Sequence, residues 1–358
     1  MLDPTIVTDA VRAIGRDDLE LGVAGHEEYG AVEEMSRASS STEVFSPLTA
    51  ALIEWFVDRN PCGPGFVVLA RDRPSRLLVG HFVFYRWRLV RRGADGGLAE
   101  VPVFLYVRLY VRPEYRRRGV FSAMTAFGLE VARRLGVGLA YTAPNPRSSP
   151  GFVKFGMERR GPLPFRVRPS IPGWGLMGGL PRPSRSLDVE VRSEFDASFQ
   201  GAMGRDLPPA ITWWGDRTPA LLNWRYVERP DARYEIRYAR ESGRASGFLV
   251  TRRMRIKGLR AMVVCDFWCE PRHEDALRVA LLHAQAAGER TALAVAIGSD
   301  RPPQARRALR RAGFVSVPAA LLPQPIVIFG GGLGSAPARV DLPELDAWHL
   351  TPGDWDVF

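Results

Sequence analysis

The residues best suited to chemistry lie between Val111 and Ser122, where the chain reads Val-Arg-Pro-Glu-Tyr-Arg-Arg-Arg-Gly-Val-Phe-Ser. A Val-, Leu- and Tyr-rich run ends at Val111, Pro113 turns the chain, and a basic loop opens into a stretch with helical periodicity. A helix start presents backbone N–H groups with no intrahelical acceptor, together with the positive end of the helix dipole. That arrangement suits a phosphate or pyrophosphate. Gly119 lets the backbone approach an anion, and Arg116, Arg117 and Arg118 add charge. The same composition also fits an ordinary basic strand-to-helix loop, so the elements around it must decide.

Those elements read as follows. Helical patterns cover Glu27 to Ser40 and Pro47 to Asp58, and extended runs cover Phe66–Ala70, Leu77–Trp87 and Val101–Val111. The last two runs flank the turn-like Arg92-Gly93-Ala94-Asp95-Gly96-Gly97. A helix from Gly119 to Arg134 carries Phe121, Met124, Leu129, Val131 and Leu135 on an apolar face. A strand at Gly138–Thr142 and a short helix stopping at Gly156 follow. Pro162 to Ser186 is dense in Pro and Gly and reads as a connector. Beyond it, strands at Tyr234–Ala239, Gly247–Thr251 and Leu259–Trp268 precede a helix at Glu274–Ala287, a strand at Thr291–Ile297 and a helix at Pro303–Ala312. The order strand, strand, strand, helix, strand, helix thus occurs twice, which reads as a duplication.

Bulk composition agrees with two packed units. The 358 residues are 46% apolar, 25% charged and 10% aromatic, a globular balance long enough for two domains of roughly 150–200 residues. Net charge is +10, with Lys154 and Lys257 the sole lysines among 49 basic residues. An arginine-rich codon bias would produce this, and so would an anionic partner such as coenzyme phosphates, an acidic carrier protein or RNA. The spread of basic residues along the chain speaks against a dedicated nucleic-acid tail. Cys62, Cys265 and Cys269 have no metal spacing and suit a reduced cytoplasmic setting. The five histidines form no ligand pair, so no metal is expected. Met1 to Asp9 lacks the apolar core of a signal peptide. The uncharged stretch Val315–Ala338 is broken by Pro318, Pro323, Pro325 and Gly330–Gly332, so it does not read as a membrane helix, and a soluble chain is expected.

Beyond the loop, Asn145 is followed seven residues later by Phe152, then by Gly156-Met157. With Arg116-x-x-Gly119, this register resembles the GNAT N-acyltransferases, and most of the chain resembles their bacterial tandem type, strongly between about 101 and 158 and weakly in the second half. In that family the loop reads Arg/Gln-x-x-Gly-x-Gly/Ala and the later segment Asn, Tyr, Gly-Phe. The second half repeats the ending at Ala308-Leu309-Arg310-Arg311-Ala312-Gly313-Phe314. Trp348-His349-Leu350-Thr351-Pro352-Gly353-Asp354-Trp355-Asp356 resembles the endings of tandem relatives and reads as a docked tail. The resemblance implies a mixed α/β fold of two GNAT-like domains, each a mixed, mainly antiparallel twisted sheet flanked by helices. Domain 1–165 would hold acyl-CoA, 166–186 would connect, and 187–358 would be a degenerate copy. In that copy Cys269-Glu270-Pro271-Arg272-His273 stands in place of the phosphate loop.

The resemblance further implies pyrophosphate binding by Arg116, Arg117, Arg118, Gly119, Val120, Phe121 and Ser122. It implies pairing of the pantetheine arm with Leu109, Tyr110 and Val111, and a contribution from Asn145 and Phe152. One β-strand amide would stabilise the thioester oxyanion. Two departures matter: Phe121 replaces a small residue, and Phe152 (Leu309 in the copy) replaces a Tyr that can protonate the leaving thiolate. Either another group protonates the thiolate or it leaves without a dedicated acid, as a thiol of pKa ~8.5 can. Candidates for proton handling are Glu28, Glu33, Glu34, His81, Tyr106, Tyr110, Ser148 and Asp266, with Glu33, Tyr110, Asn145 and Ser148 carried as the catalytic set. Trp213-Trp214 and Leu222-Asn223-Trp224-Arg225-Tyr226 suit either a core or a pocket for a sugar or long acyl chain.

The expected function is transfer of an acyl group from acyl-CoA to the primary amine of a small metabolite, amino sugar or natural-product precursor by direct attack. The alternatives are an acyl carrier protein or aminoacyl-tRNA donor, a thioester decarboxylase or lyase, and a non-catalytic binding protein. A monomer or homodimer is expected.

Overall fold

The computed structural model describes residues 2–39, 47–170, 187–197, 207–242, 244–270, 274–287, 291–298, 302–322, 324–333 and 342–355. Two elements without a clear sequence signal come first. Helix α1 (Pro4–Ile14) starts at Asp3, whose carboxylate accepts from the Thr5 N–H at 2.8 Å, with Pro4 at the first helical position. Strand β1 spans Leu19–Val23. Helices α2 (Tyr29–Ser39) and α3 (Ala50–Val57) follow, then β2 (Phe66–Asp72), β3 (Leu78–Arg92) and β4 (Leu98–Val111). Next come α4 (Val120–Arg134), β5 (Leu139–Thr142), α5 (Ser149–Val153), β6 (Glu158–Arg160) and β7 (Phe165–Pro169). The second half holds β8 (Leu187–Arg192), β9 (Trp213–Gly215), α6 (Pro219–Tyr226), β10 (Glu235–Glu241), β11 (Arg244–Ile256) and β12 (Leu259–Cys269). It continues with α7 (Glu274–Ala286), β13 (Leu293–Ile297), α8 (Pro303–Arg311), β14 (Val315–Val317), β15 (Ile328–Gly332) and β16 (Trp348–His349).

Among the described residues these strands form two mixed sheets. The first runs β1-β2-β3-β4-β5-β15-β6, with β9 and β16 added beyond β3; the second runs β8-β10-β11-β12-β13-β7-β14. The orders match position by position, with one exchange. β15 comes from the second half yet lies between β5 and β6, pairing Phe329 with both Thr142 and Arg159. β7 comes from the first half yet lies between β13 and β14, pairing Val167 with both Val295 and Val315. Each sheet is therefore completed by a strand from the opposite half. A division at 165 or 187 cuts across both sheets, and the connector span 166–186 opens as sheet before passing, from 171, outside the described residues.

The two sheets share a core. Apolar side chains from β2, β3, β4 and β5 on one side and β10, β11, β12 and β13 on the other form one buried cluster with α3 and α6. The outer face of the first sheet is covered by α1 and α4, and that of the second by α7 and α8. At the centre, Trp55 of α3 stacks on Trp224 of α6, with centroids 4.2 Å apart and planes 8° from parallel. Each indole N–H donates to the other residue's carbonyl, at 2.8 and 3.0 Å. Ile53-x-Trp55 with Pro61 and Leu222-x-Trp224 with Pro230 are the same pattern in the two halves. The tryptophan-rich segment near 224 thus packs as core.

Candidate functional site

The first half opens where β4 and β5 part. β4 stays paired with β3 up to Gly80↔Val111, but its parallel pairing with β5 covers just Phe104↔Ala140 and Leu105↔Tyr141. Thr142 Oγ1 closes the corner by donating to the Tyr106 carbonyl at 2.7 Å. Beyond it a bulge intervenes: the register slips between His81↔Tyr110 and Val83↔Val107, and Arg108 takes a left-handed φ of 55°. The Arg112 N–H donates to Val79 O at 2.9 Å. Strand alternation therefore turns the amides of Leu109 and Val111 away from β3, toward the opening. Residues 107 to 111 are half-buried, as a free strand edge requires.

The edge runs directly into the basic loop. Arg117 and Gly119 have φ of 62° and 80°, and no side chain caps the start of α4 at Gly119. Left-handed residues alternating with ordinary ones turn successive amides toward one point, an anion-binding concavity. The uncapped N–H groups of the first turn of α4 face the same end. Arg116 donates from Nε to Val111 O at 3.1 Å and lies over the Tyr110 ring at 5.9 Å, joining loop to edge. Arg16, which sequence reasoning passed over, holds the loop from behind: Nη1 donates to Arg118 O at 3.1 Å. Its partner Asp18 lies two residues away, so local sequence held no sign of that reach.

Phe121 accounts for its own departure from a small residue. Its ring folds away from the loop onto Gly151 and Phe152, the latter at 5.3 Å. Phe152 is buried between Phe121, Tyr106 and Phe82. Val120 is buried beneath α4, and Ser122 is exposed.

The other candidates are held by local structure. Asn145 Oδ1 accepts from the N–H of Arg147 and Ser148 at 2.9 and 3.1 Å, and its carbonyl accepts from Ser149, so it starts α5. Ser148 Oγ donates back to Asn145 at 3.2 Å. Glu33 pairs with Arg37 and accepts from the Ala50 N–H at 2.8 Å, tying α2 to α3. Glu28 accepts from Gly25 N–H and Arg71, at 2.8 and 2.6 Å. His81 is buried beside the Arg108 backbone, and burial holds its imidazole down to about 4, so it is neutral. Arg108 approaches Asp231 of the second half at 3.8 Å, and Arg229 binds the same carboxylate at 2.6 Å.

The equivalent opening in the second half is filled. β12 pairs with β13 from Ala261↔Leu293 to Val264↔Ala296 and then parts from it. Residues 261 to 269 are nonetheless buried throughout, because the tail enters the gap. His349 Nε2 lies 3.3 Å from Phe267 O, and Thr351 Oγ1 donates to Asp266 Oδ1 at 2.9 Å. Gly298 has φ of 124°, and a Cβ there would overlap the Leu350 carbonyl. Among the described residues, two cavities of about 10 Å³ each lie beside Phe267, room for one water apiece. Asp266, considered above as a base, is held by Arg217 at 2.8 Å and Tyr226 at 2.9 Å. Pro271-Arg272-His273 lies outside the described residues. Among the described residues no cluster of three His, Cys, Asp or Glu side chains could hold a metal, and no helix is long and apolar enough to cross a membrane.

Residues 31–157 match the acetyltransferase (GNAT) family model. Among curated proteins no sequence relative matches. A conserved protein of unknown function from Enterococcus faecalis V583 is similar over 88% of this chain and 72% of its own, with TM-score 0.57 and 12% identity. A GCN5-related N-acetyltransferase from Anabaena variabilis gives TM-score 0.56 at 12% identity, over 88% of this chain and 73% of its own. Saccharomyces cerevisiae N-myristoyltransferase with bound myristoyl-CoA gives 0.52 at 11%, over 88% of this chain and 82% of its own. The family match thus spans the parted strands and the loop of the first half, and the solved structures share the fold along most of the chain.

Proposed function

We propose that the chain transfers an acyl group from acyl-CoA to a primary amine of a small molecule, using the first half alone as the thioester site. One observation carries this reading: the free β4 edge at Leu109 and Val111 leads without interruption into the uncapped, left-handed loop Arg116–Gly119. The loop amides and arginines would take the pyrophosphate, and the β4 edge would pair with the pantetheine arm. The N–H of Leu109, just past the bulge, would hold the thioester oxygen as charge develops on it. The amine attacks the thioester carbon, the C–S bond breaks, and the thiolate departs with the electron pair. The Arg108–Asp231 contact favours an acceptor side at the meeting of the two halves, for which a monomer would be sufficient. Unpaired thiols at Cys62, Cys265 and Cys269 suit a cytoplasmic setting.

Calorimetric titration with acetyl-CoA, CoA and phosphopantetheine tests this, with Arg116→Ala and Gly119→Glu as controls. Micromolar CoA binding lost in both variants supports the reading; no binding of any CoA species removes it. A carrier-protein donor is the second reading. It is favoured by exposed Arg117, Arg118, Arg147 and Lys154 around the α4–α5 end of the opening. Turnover with an acyl carrier protein but not with acyl-CoA would select it.

A further inference from the structure

Tyr106 is the last β4 residue before the strands part. Its backbone is used, since the carbonyl accepts from Thr142 Oγ1 at 2.7 Å where the ladder stops. Its ring lies on the α4–α5 side of the sheet, with Phe82, Phe84 and Phe152 at 5.7, 5.6 and 5.2 Å. Its hydroxyl is completely buried and has no hydrogen-bond partner. A buried hydroxyl left unpaired is destabilising, and such groups are rare in native proteins. Phenylalanine would fill the same space without that cost, as Phe82, Phe84 and Phe104 do around it. The hydroxyl therefore calls for a ligand atom, and the ligand that the adjoining opening is shaped for carries a thioester.

We propose that the Tyr106 hydroxyl donates a hydrogen bond to the sulfur of bound acyl-CoA and to the thiolate as it departs. This rests on the acyl-CoA reading above. The pairing of β4 with β5 ends at Leu105, so a thioester drawn to the base of the opening meets Tyr106 first. Burial pushes the phenol well above its usual range, so it keeps its proton and serves as a donor, not as a source of protons. The balance is simple: nitrogen attacks carbon, the C–S pair leaves on sulfur, and Tyr106 holds that charge. The proton lost by the amine later neutralises the thiolate through solvent.

Tyr106→Phe removes the hydroxyl and nothing else. Affinities for CoA and desulfo-CoA are compared in wild type and variant, and the bound thiol is titrated by its thiolate absorbance. The expected result is a wild-type preference for CoA that falls about tenfold in the variant, with the bound thiol titrating about one pH unit higher. The melting temperature without ligand should hold or rise, because an unpaired group has been removed. An unchanged preference and an unchanged titration would overturn the proposal, whether the melting temperature moves or not, and would assign the hydroxyl to packing or a buried water. A wild type that binds CoA and desulfo-CoA equally also overturns it while sparing the acyl-CoA reading. A wild type that binds neither overturns both.

Discussion

Arg217 bridges two buried carboxylates, and its removal is the sharpest test of how the tail is held. Its Nε lies 2.8 Å from Asp266 Oδ2, and Nη1 lies 2.7 Å from Asp354 Oδ1. Nη2 donates to Asp354 Oδ2 at 2.7 Å and to Thr351 Oγ1 at 3.0 Å. All three charged side chains are at most 1% exposed. Arg217→Met keeps most of the volume and leaves two carboxylates in low dielectric without the guanidinium that bridges them. Breaking a buried pair in this way costs about 3–5 kcal/mol, a large share of the ~5–15 kcal/mol that holds a typical domain. The effect has a signed pH dependence. Burial already raises the Asp266 carboxyl, and Arg217 opposes that rise. Without Arg217 the folded-state value moves further above the unfolded ~3.9, so the folded chain takes up the proton first and gains stability as pH falls. The deficit relative to wild type should be greatest near pH 8 and shrink toward pH 5, by up to about 1.4 kcal/mol per pH unit as Asp266 is protonated. Urea unfolding at both pH values measures this, and Arg217→Met with Asp266→Asn and Asp354→Asn should recover most of the loss. A deficit below about 1 kcal/mol at pH 8, or one independent of pH, would refute the argument that these charges are mutually dependent.

Four further outcomes are expected. His81 and His349 are both held to about 4 by burial. The unfolded chain therefore binds more protons below about pH 6.5, and stability should fall by up to ~2.7 kcal/mol per pH unit between there and pH 4; urea melts measure the slope, which His81→Phe should halve. Trp224→Ala removes the stacked partner of Trp55 and should cost about 3–5 kcal/mol, with both halves still melting in one transition by circular dichroism because they exchange strands. Gly119→Ala forces a side chain into a left-handed conformation, with its Cβ 2.5 Å from Arg16 Nη1. The expected loss is about 1–2 kcal/mol by chemical denaturation, together with weaker CoA binding by calorimetry. CoA should bind with a stoichiometry near one per chain, since the tail fills the second opening; a second equivalent by calorimetry would show that the tail yields.

The sequence by itself determined the local grammar of this protein. The loop Arg116–Gly119 announced itself because a strand end, a proline turn and an apolar-periodic helix are all signals within twenty residues. The long β3–β4 hairpin and the paired element order of the two halves were legible for the same reason. Asn145 was found by register with a family and Ser148 as a candidate for proton handling, but neither reading says what a side chain bonds to; the structure spends both on the turn that leads into α5. Short strands were invisible, since β6 and β14 have three residues each and carry no periodicity to read. Tertiary structure alone decided which strand completes which sheet, because β7 and β15 find their partners in the opposite half. It alone decided which opening stays free. Tyr141 Oη donates to the Asp354 carbonyl across 213 residues of chain, and His349 and Thr351 reach β12 across more than 80. Periodicity and turn chemistry act over a few residues; whether an opened pair of strands meets a coenzyme or the chain's own tail depends on contacts at those separations.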